Sequence, residues 1–284
     1  MLLFDEGLLV LDSNLLMERV TSGLYWIVHE RLATESDALR HRWTQVWGDM
    51  VEQFAEAELV SAAPVVFGEG APPTFFTEDD LAAAYGEGTK RTDVVIDSGE
   101  RVGLFEIVSG QFTTKTRVDG EPDAFRADLE KIVVKKVRQL SETGQAIMDQ
   151  PELLFGNDAP FRPVVPVVVA GGGFPVNPVT VSAVVERLNE EELLVHGGMR
   201  PLAIIELEEL AMLNGLATHG VDIVRTIEEW TASDLARTSL KNWLLTVYGS
   251  GSEMFRSEEA GHRTQALFDE MRLFGSQRGV MVAS

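Results

Sequence analysis

The sequence predicts a three-layer α/β protein with a mixed central sheet, N-terminal helices and a mainly helical C-terminal lobe. Three observations carry this. Two short apolar runs, Val94-Val-Ile and Val102-Gly-Leu-Phe, flank a turn at Asp97-Ser-Gly-Glu100 and read as a strand hairpin. The stretch 123–148 places Phe125, Leu129, Ile132, Val133, Val137 and Leu140 at steps of three and four, the stripe of an amphipathic helix. Behind it comes Phe161-Arg-Pro-Val-Val-Pro-Val-Val-Val-Ala170, a buried-strand pattern with prolines at its start.

The remaining elements follow in order. Over 15–31, Leu16, Val20, Leu24 and Ile27 recur at helical spacing. A second helix covers 36–59, with Trp43, Val46, Trp47, Met50, Val51 and Phe54 on one broad face. Pro64 and Gly68-Glu-Gly-Ala-Pro-Pro73 interrupt regular structure before the hairpin. Asn177-Pro178 opens a helix over 179–189, and 201–206 is a further strand. Helices are expected at 208–216, 221–229, 232–245 and 258–274, with a flexible break at Gly249-Ser-Gly-Ser252. This divides the chain into an N-terminal helical segment, 1–42, an α/β core, 43–206, and a helical lobe, 207–284.

Composition narrows the function. The chain has 284 residues, 45% of them hydrophobic, and no cysteine, which excludes disulfides, thiolate zinc sites and cysteine nucleophiles. No apolar run is long enough to cross a bilayer, and acids stand where a signal peptide has its basic region, so a cytoplasmic location is expected. The net charge of −21 opposes nucleic acid, whose binding draws on phosphate neutralisation. The charge is uneven, however. Lys115, Arg117, Arg126, Lys131, Lys135, Lys136 and Arg138 lie close together and form either a local basic patch or solvated helix faces.

Each strand of the hairpin carries one acid, Asp93 and Glu106. Pairing brings such residues within a few ångströms, and converging carboxylates suit a hard cation such as Mg²⁺ or Mn²⁺. A shared ion requires about 4–5 Å between carboxylate oxygens. Glu106, flanked by Leu104, Phe105, Ile107 and Val108, is expected in a central strand, where a buried acid needs a partner or a metal. Asp93 caps a strand, pairs with Arg91 or binds metal; Glu52 lies on an acidic helix and reads as a ligand or as an exposed face.

The order helix, strand, strand, helix, strand from Trp43 to Ala170 resembles the PD-(D/E)XK nuclease superfamily, the restriction-endonuclease-like fold. The resemblance rests on Gly48-Asp-Met-Val-Glu52 in a helix, on Asp93 and Glu106 in strands, and on Arg138-Gln-Leu140 in the following helix. It implies that Glu52, Asp93 and Glu106 hold catalytic Mg²⁺ or Mn²⁺, and that Gln139 matches a glutamine of the RecB-like branch. It also implies a lysine two residues after the second acid, but that position is Val108. Some members of the superfamily carry the lysine on a neighbouring element. Lys136, four after Ile132 and four before Leu140, falls on the sheet-facing side of its helix. It either meets the carboxylates or extends its amine to water. Two functions follow: a metal-dependent DNA endonuclease of bacterial defence or repair, with Asp93, Glu106, Lys136 and Gln139 at its catalytic site, or a catalytically degenerate scaffold that binds a protein partner or a second copy of itself. Gly171-Gly-Gly173 completes no dinucleotide-binding motif, because Pro175 and Pro178 follow and G-x-G-x-x-G is absent; the five histidines show no metal-ligand spacing.

Overall fold

The computed structural model describes residues 2–4, 7–9, 22–64, 74–86, 91–157, 160–171, 174–249 and 253–255. A short antiparallel hairpin, β1 (Leu2–Phe4) and β2 (Gly7–Leu9), lies within the segment expected to be helical. Helix α1 (Ser22–Ala33) is joined to α2 (Asp37–Ala62), which starts on an N-cap from Ser36 to the amide of Ala38. Tyr25 stacks on Trp43 and meets Trp47 at a tilt of 53° across the two helices, so these tryptophans bind α1 to α2.

Five strands form the central sheet in the order β3 (Phe75–Thr77), β4 (Val94–Asp97), β5 (Val102–Val108), β6 (Val164–Ala170) and β7 (Ala203–Glu206). The first three are antiparallel neighbours; β5, β6 and β7 run parallel. The change of sense follows from the connections. A tight turn with Gly99 at φ 85° joins β4 to β5, whereas a parallel neighbour requires a crossover. That crossover contains α4 (Pro122–Leu129) and α5 (Lys135–Asp149), continuous through a π-helical turn at Glu130–Val134 in which the amide of Lys135 reaches the carbonyl of Glu130, and then the one-turn α6 (Glu152–Phe155).

Helices cover both faces of the sheet. Phe105 and Ile107 of β5 pack in one core with Val51, Ala55 and Leu59 of α2, and with α8 (Leu207–Ala217), α9 (Ile223–Thr231) and α10 (Leu240–Tyr248). Val102, Leu104 and Val108 pack in the other with Leu129, Ile132, Val137 and Leu140, with Leu81 of α3 (Glu78–Tyr85), and with α7 (Pro178–Glu190). All seven residues of β5 are buried, as expected of a strand covered on both faces. Glu106 shares the parity of Leu104 and Val108 and therefore lies on the α5 side.

The structure departs from expectation in several places. β3 and α3 were not anticipated; Thr77 and Asp80 close a capping box that turns three strand residues directly into a helix. The helix expected over 232–245 begins only at Leu240. Ser233 accepts from the amide of Leu235 and favours turns, and Ser239 supplies the true N-cap. The first expected helix is described from Ser22, and the helix expected at 258–274 lies outside the described residues. Among them no helix is long and apolar enough to cross a membrane.

One polar contact crosses the apolar α2 side of the core. Asn214 of α8 donates to the buried Glu58 carboxylate at 2.6 Å. Hydrogen bonds to buried charged groups contribute about 2 kcal/mol. Asn214→Ala should therefore lower the urea midpoint by a corresponding amount, and an unchanged midpoint would mean that Glu58 has another donor.

Candidate active site

The β4–β5 register pairs Val94 with Phe105, so the next pair outwards is Asp93 with Glu106. Side chains extend the ladder beyond the end of β4. Thr92 Oγ1 donates to the Phe105 carbonyl at 2.7 Å, and Asp93 Oδ2 accepts from the Ile107 amide at 2.7 Å. Asp93 thus pairs with the neighbouring strand and not with Arg91.

Both carboxylates reach one ammonium. Lys136 Nζ donates to Glu106 Oε2 at 2.6 Å and lies 3.9 Å from Asp93 Oδ2. The first distance is that of a charge-assisted bond. Lys136 therefore meets the carboxylates, with its side chain 24% exposed, and the two acids lie on the same side of the sheet. Glu106 is 0% exposed, and its Oε1 is buried without a hydrogen-bond partner. Burial, followed by the charge of Asp93, pushes the Glu106 carboxyl up to about 8, against the pull of Lys136. Burial opposes the Lys136 charge, but Glu106 and Asp93 outweigh it and raise its pKa.

The α5 side chains that face this region recur at helical steps. Gln139 Nε2 donates to the Arg91 carbonyl at 3.4 Å, and Thr143 Oγ1 accepts from the Thr92 amide at 3.2 Å. Lys136, Gln139 and Thr143 thus hold residues 91–93 against the helix. Gln139 supports the backbone beside Asp93 and makes no bond to the acids. Thr143, fully buried, was not singled out from the sequence; a polar residue at the i+4 position from Gln139 on a core face was the available signal.

Glu52 approaches from the opposite face of the sheet. Gly171 permits this: a Cβ there would lie 2.9 Å from Val51 Cγ1 and 3.1 Å from the Val108 carbonyl oxygen. Glycine lets α2 press onto the ends of β5 and β6. Partial desolvation against the sheet end and the charge of Asp93 raise the Glu52 pKa, and Lys136 partly offsets them. Glu52 is exposed and feels the cluster electrostatically; among the described residues no hydrogen bond or ion pair holds it. Val108 is buried beside Ile132 and Leu129 in the apolar core.

Part of the basic patch is paired with acids. Arg138 pairs with Glu130 and Glu191, both at 2.7 Å, and Arg126 with Asp123 at 3.2 Å. Lys131 and Lys135 are exposed, with no acid paired to them among the described residues. Within those residues, too, no group of three His, Cys, Asp or Glu side chains is gathered as a metal cage. Two carboxylates nevertheless suffice for Mg²⁺, which keeps waters and takes phosphate oxygens for the rest of its shell. The free lone pairs of Glu106 Oε1 fit that donor chemistry.

The fold and site define an α/β protein with a buried carboxylate–lysine cluster at the ends of two adjacent strands. In comparisons with known proteins, no family model, curated protein or solved structure matches the chain.

Proposed function

We propose that this chain is a Mg²⁺- or Mn²⁺-dependent DNA nuclease of the PD-(D/E)XK type, acting in bacterial defence or repair, with Lys136 serving in place of the lysine absent at Val108. The observation that carries the reading is the convergence of Asp93, Glu106 and Lys136 on one point. The succession α2, β4, β5, α4–α5, β6 supports it, being the order of elements on which the resemblance rests. Asp93 and Glu106 would hold the ion, with Glu52 facing it from α2. A bound ion would supply Lewis-acid stabilisation and an activated water. Lys136 would orient that water and balance the charge of the carboxylates. Gln139 would fix the backbone that carries Asp93. With a net charge of −21, affinity for DNA should be low and fall steeply with salt.

One observation favours the alternative, a scaffold without catalysis: Lys136 Nζ already neutralises Glu106 at 2.6 Å. Incubation with DNA separates the two. A nuclease cleaves in Mg²⁺ or Mn²⁺, stops with chelator and loses all activity in Glu106→Ala. Folded protein that neither cleaves DNA nor binds Mn²⁺ in calorimetry is the scaffold.

A further inference from the structure

We infer that α2 is a self-association surface on which a second copy of the chain docks its own α2 in antiparallel orientation. The inference is independent of any catalytic role. α2 has two apolar sides. Val51, Ala55, Leu59 and Ala62 face the sheet and are buried. On the far side, Leu39, Val46 and Met50 fall on one line at the helical period, with Val60 about 60° to one side of it, and the four are 44%, 42%, 56% and 54% exposed. Phe54 borders them. Single exposed apolar residues are ordinary, whereas a stripe aligned along one helix of 26 residues, about 39 Å long, is a contact surface. α1 leaves it open, because its aromatic contacts go to Trp43 and Trp47 on the flank.

Charge selects the occupant. The basic residues of α2, Arg40, His41 and Arg42, all lie in its first two turns, where Asp37 pairs with Arg40 at 3.0 Å and leaves Arg42 without an acid among the described residues; the acids Asp49, Glu52, Glu56 and Glu58 all follow them. Beyond Asp37, this order opposes the helix macrodipole, which favours acids at the N-terminus and bases at the C-terminus. It is unfavourable within one helix and favourable across an antiparallel pair. Two copies related by a two-fold axis near Met50 place Arg42 of each opposite Glu56 of the other, and Leu39 opposite Val60. Such an interface is isologous and closes as a dimer. Asp49 lies beside the axis, where its own copy opposes it and limits the affinity.

The absence of cysteine makes the test direct. Met50→Cys should form a covalent dimer under mild oxidation, and Val195→Cys, at a site 68% exposed elsewhere, should not. Sedimentation equilibrium should show wild-type dimers in the micromolar range. Met50→Glu introduces a charge in each copy and should weaken the dimer about a hundredfold, tenfold for each 1.4 kcal/mol. Arg42→Glu and Glu56→Arg should each weaken it, and the double exchange should restore it, which a folding defect would not do. Monomeric wild-type protein throughout the micromolar range would overturn the inference, as would a dimer indifferent to Met50→Glu. Monomers in which Met50→Cys resists alkylation would overturn it too, by showing that another part of the chain covers the stripe.

Discussion

Lys136→Ala is expected to destabilise the protein in a pH-dependent manner and, in the proposed nuclease, to abolish cleavage. The substitution removes the one cation that, among the described residues, is bonded to the fully buried Glu106 carboxylate. Breaking a buried ion pair costs about 3–5 kcal/mol when the remaining group stays charged. Glu106 has an escape, because it can take up a proton. Its folded pKa, about 8, lies above its ordinary 4.5, so the native state holds a proton that the unfolded chain releases between those values. Native stability from Glu106 is therefore complete below about pH 4.5 and declines as pH rises towards 8, by up to about 1.4 kcal/mol per pH unit. The Lys136 pKa is also raised, so its contribution disappears only in more alkaline solution. Loss of Lys136 should thus cost little at pH 5 and about 3 kcal/mol at pH 9. Urea titrations of wild type and variant across this range provide the check. Glu52 and Glu209, raised chiefly by burial, slope the same way, so the difference between the two proteins is the diagnostic quantity. A penalty that is flat with pH would show that Glu106 and Lys136 are not coupled.

The second large effect should come from Mn²⁺. Asp93 and Glu106 are adjacent acids whose mutual repulsion helps raise Glu106, and a divalent ion relieves it. A ligand at a hundred times its dissociation constant stabilises the folded state by about 2.7 kcal/mol, or about 5 °C in melting temperature for a protein of this size. Scanning calorimetry with millimolar Mn²⁺ should show that rise for wild type and none for Glu106→Ala. Glu52→Ala should retain most of it, since among the described residues no hydrogen bond or ion pair joins Glu52 to the cluster and it meets Asp93 and Lys136 through their charge. An unmoved wild-type melting curve would assign Lys136 as the permanent counterion of the site and favour the scaffold.

Much of the centre was legible from the sequence because strong local signals agreed there. The hairpin turn, the long helical stripe over 123–148 and the apolar run ending at Ala170 each override weak propensities. Asp93 and Glu106 follow from the hairpin register, and Lys136 from its place on the core side of the stripe. The rest depended on contacts that spacing does not encode. Arg138 is paired by Glu191, distant in sequence, so a run of bases that reads as a patch is in part laced to acids. Gln139 serves a backbone carbonyl, which its position on the helix does not reveal. β3 is too short to show a period, and Phe75-Phe-Thr followed by three acids reads as the edge of a loop.

The π-helical turn at Glu130–Val134 lies one residue before Lys135. Such a turn holds one residue more than the α-helix around it, and each residue of an α-helix advances the side chain by about 100°. Removal of one residue from the turn would force one half of the helix to swing by that angle against the other. With the downstream half anchored by Val137 and Leu140, Leu129 and Ile132 would leave the core; with the upstream half anchored, Lys136 would leave Glu106. Whether a cation reaches the buried acid is thus governed by the length of a helix as much as by any side chain. Single-residue insertions and deletions at this turn would act as a selector of which side chain meets Glu106, a kind of variation that aligned comparison of residue types alone does not reveal.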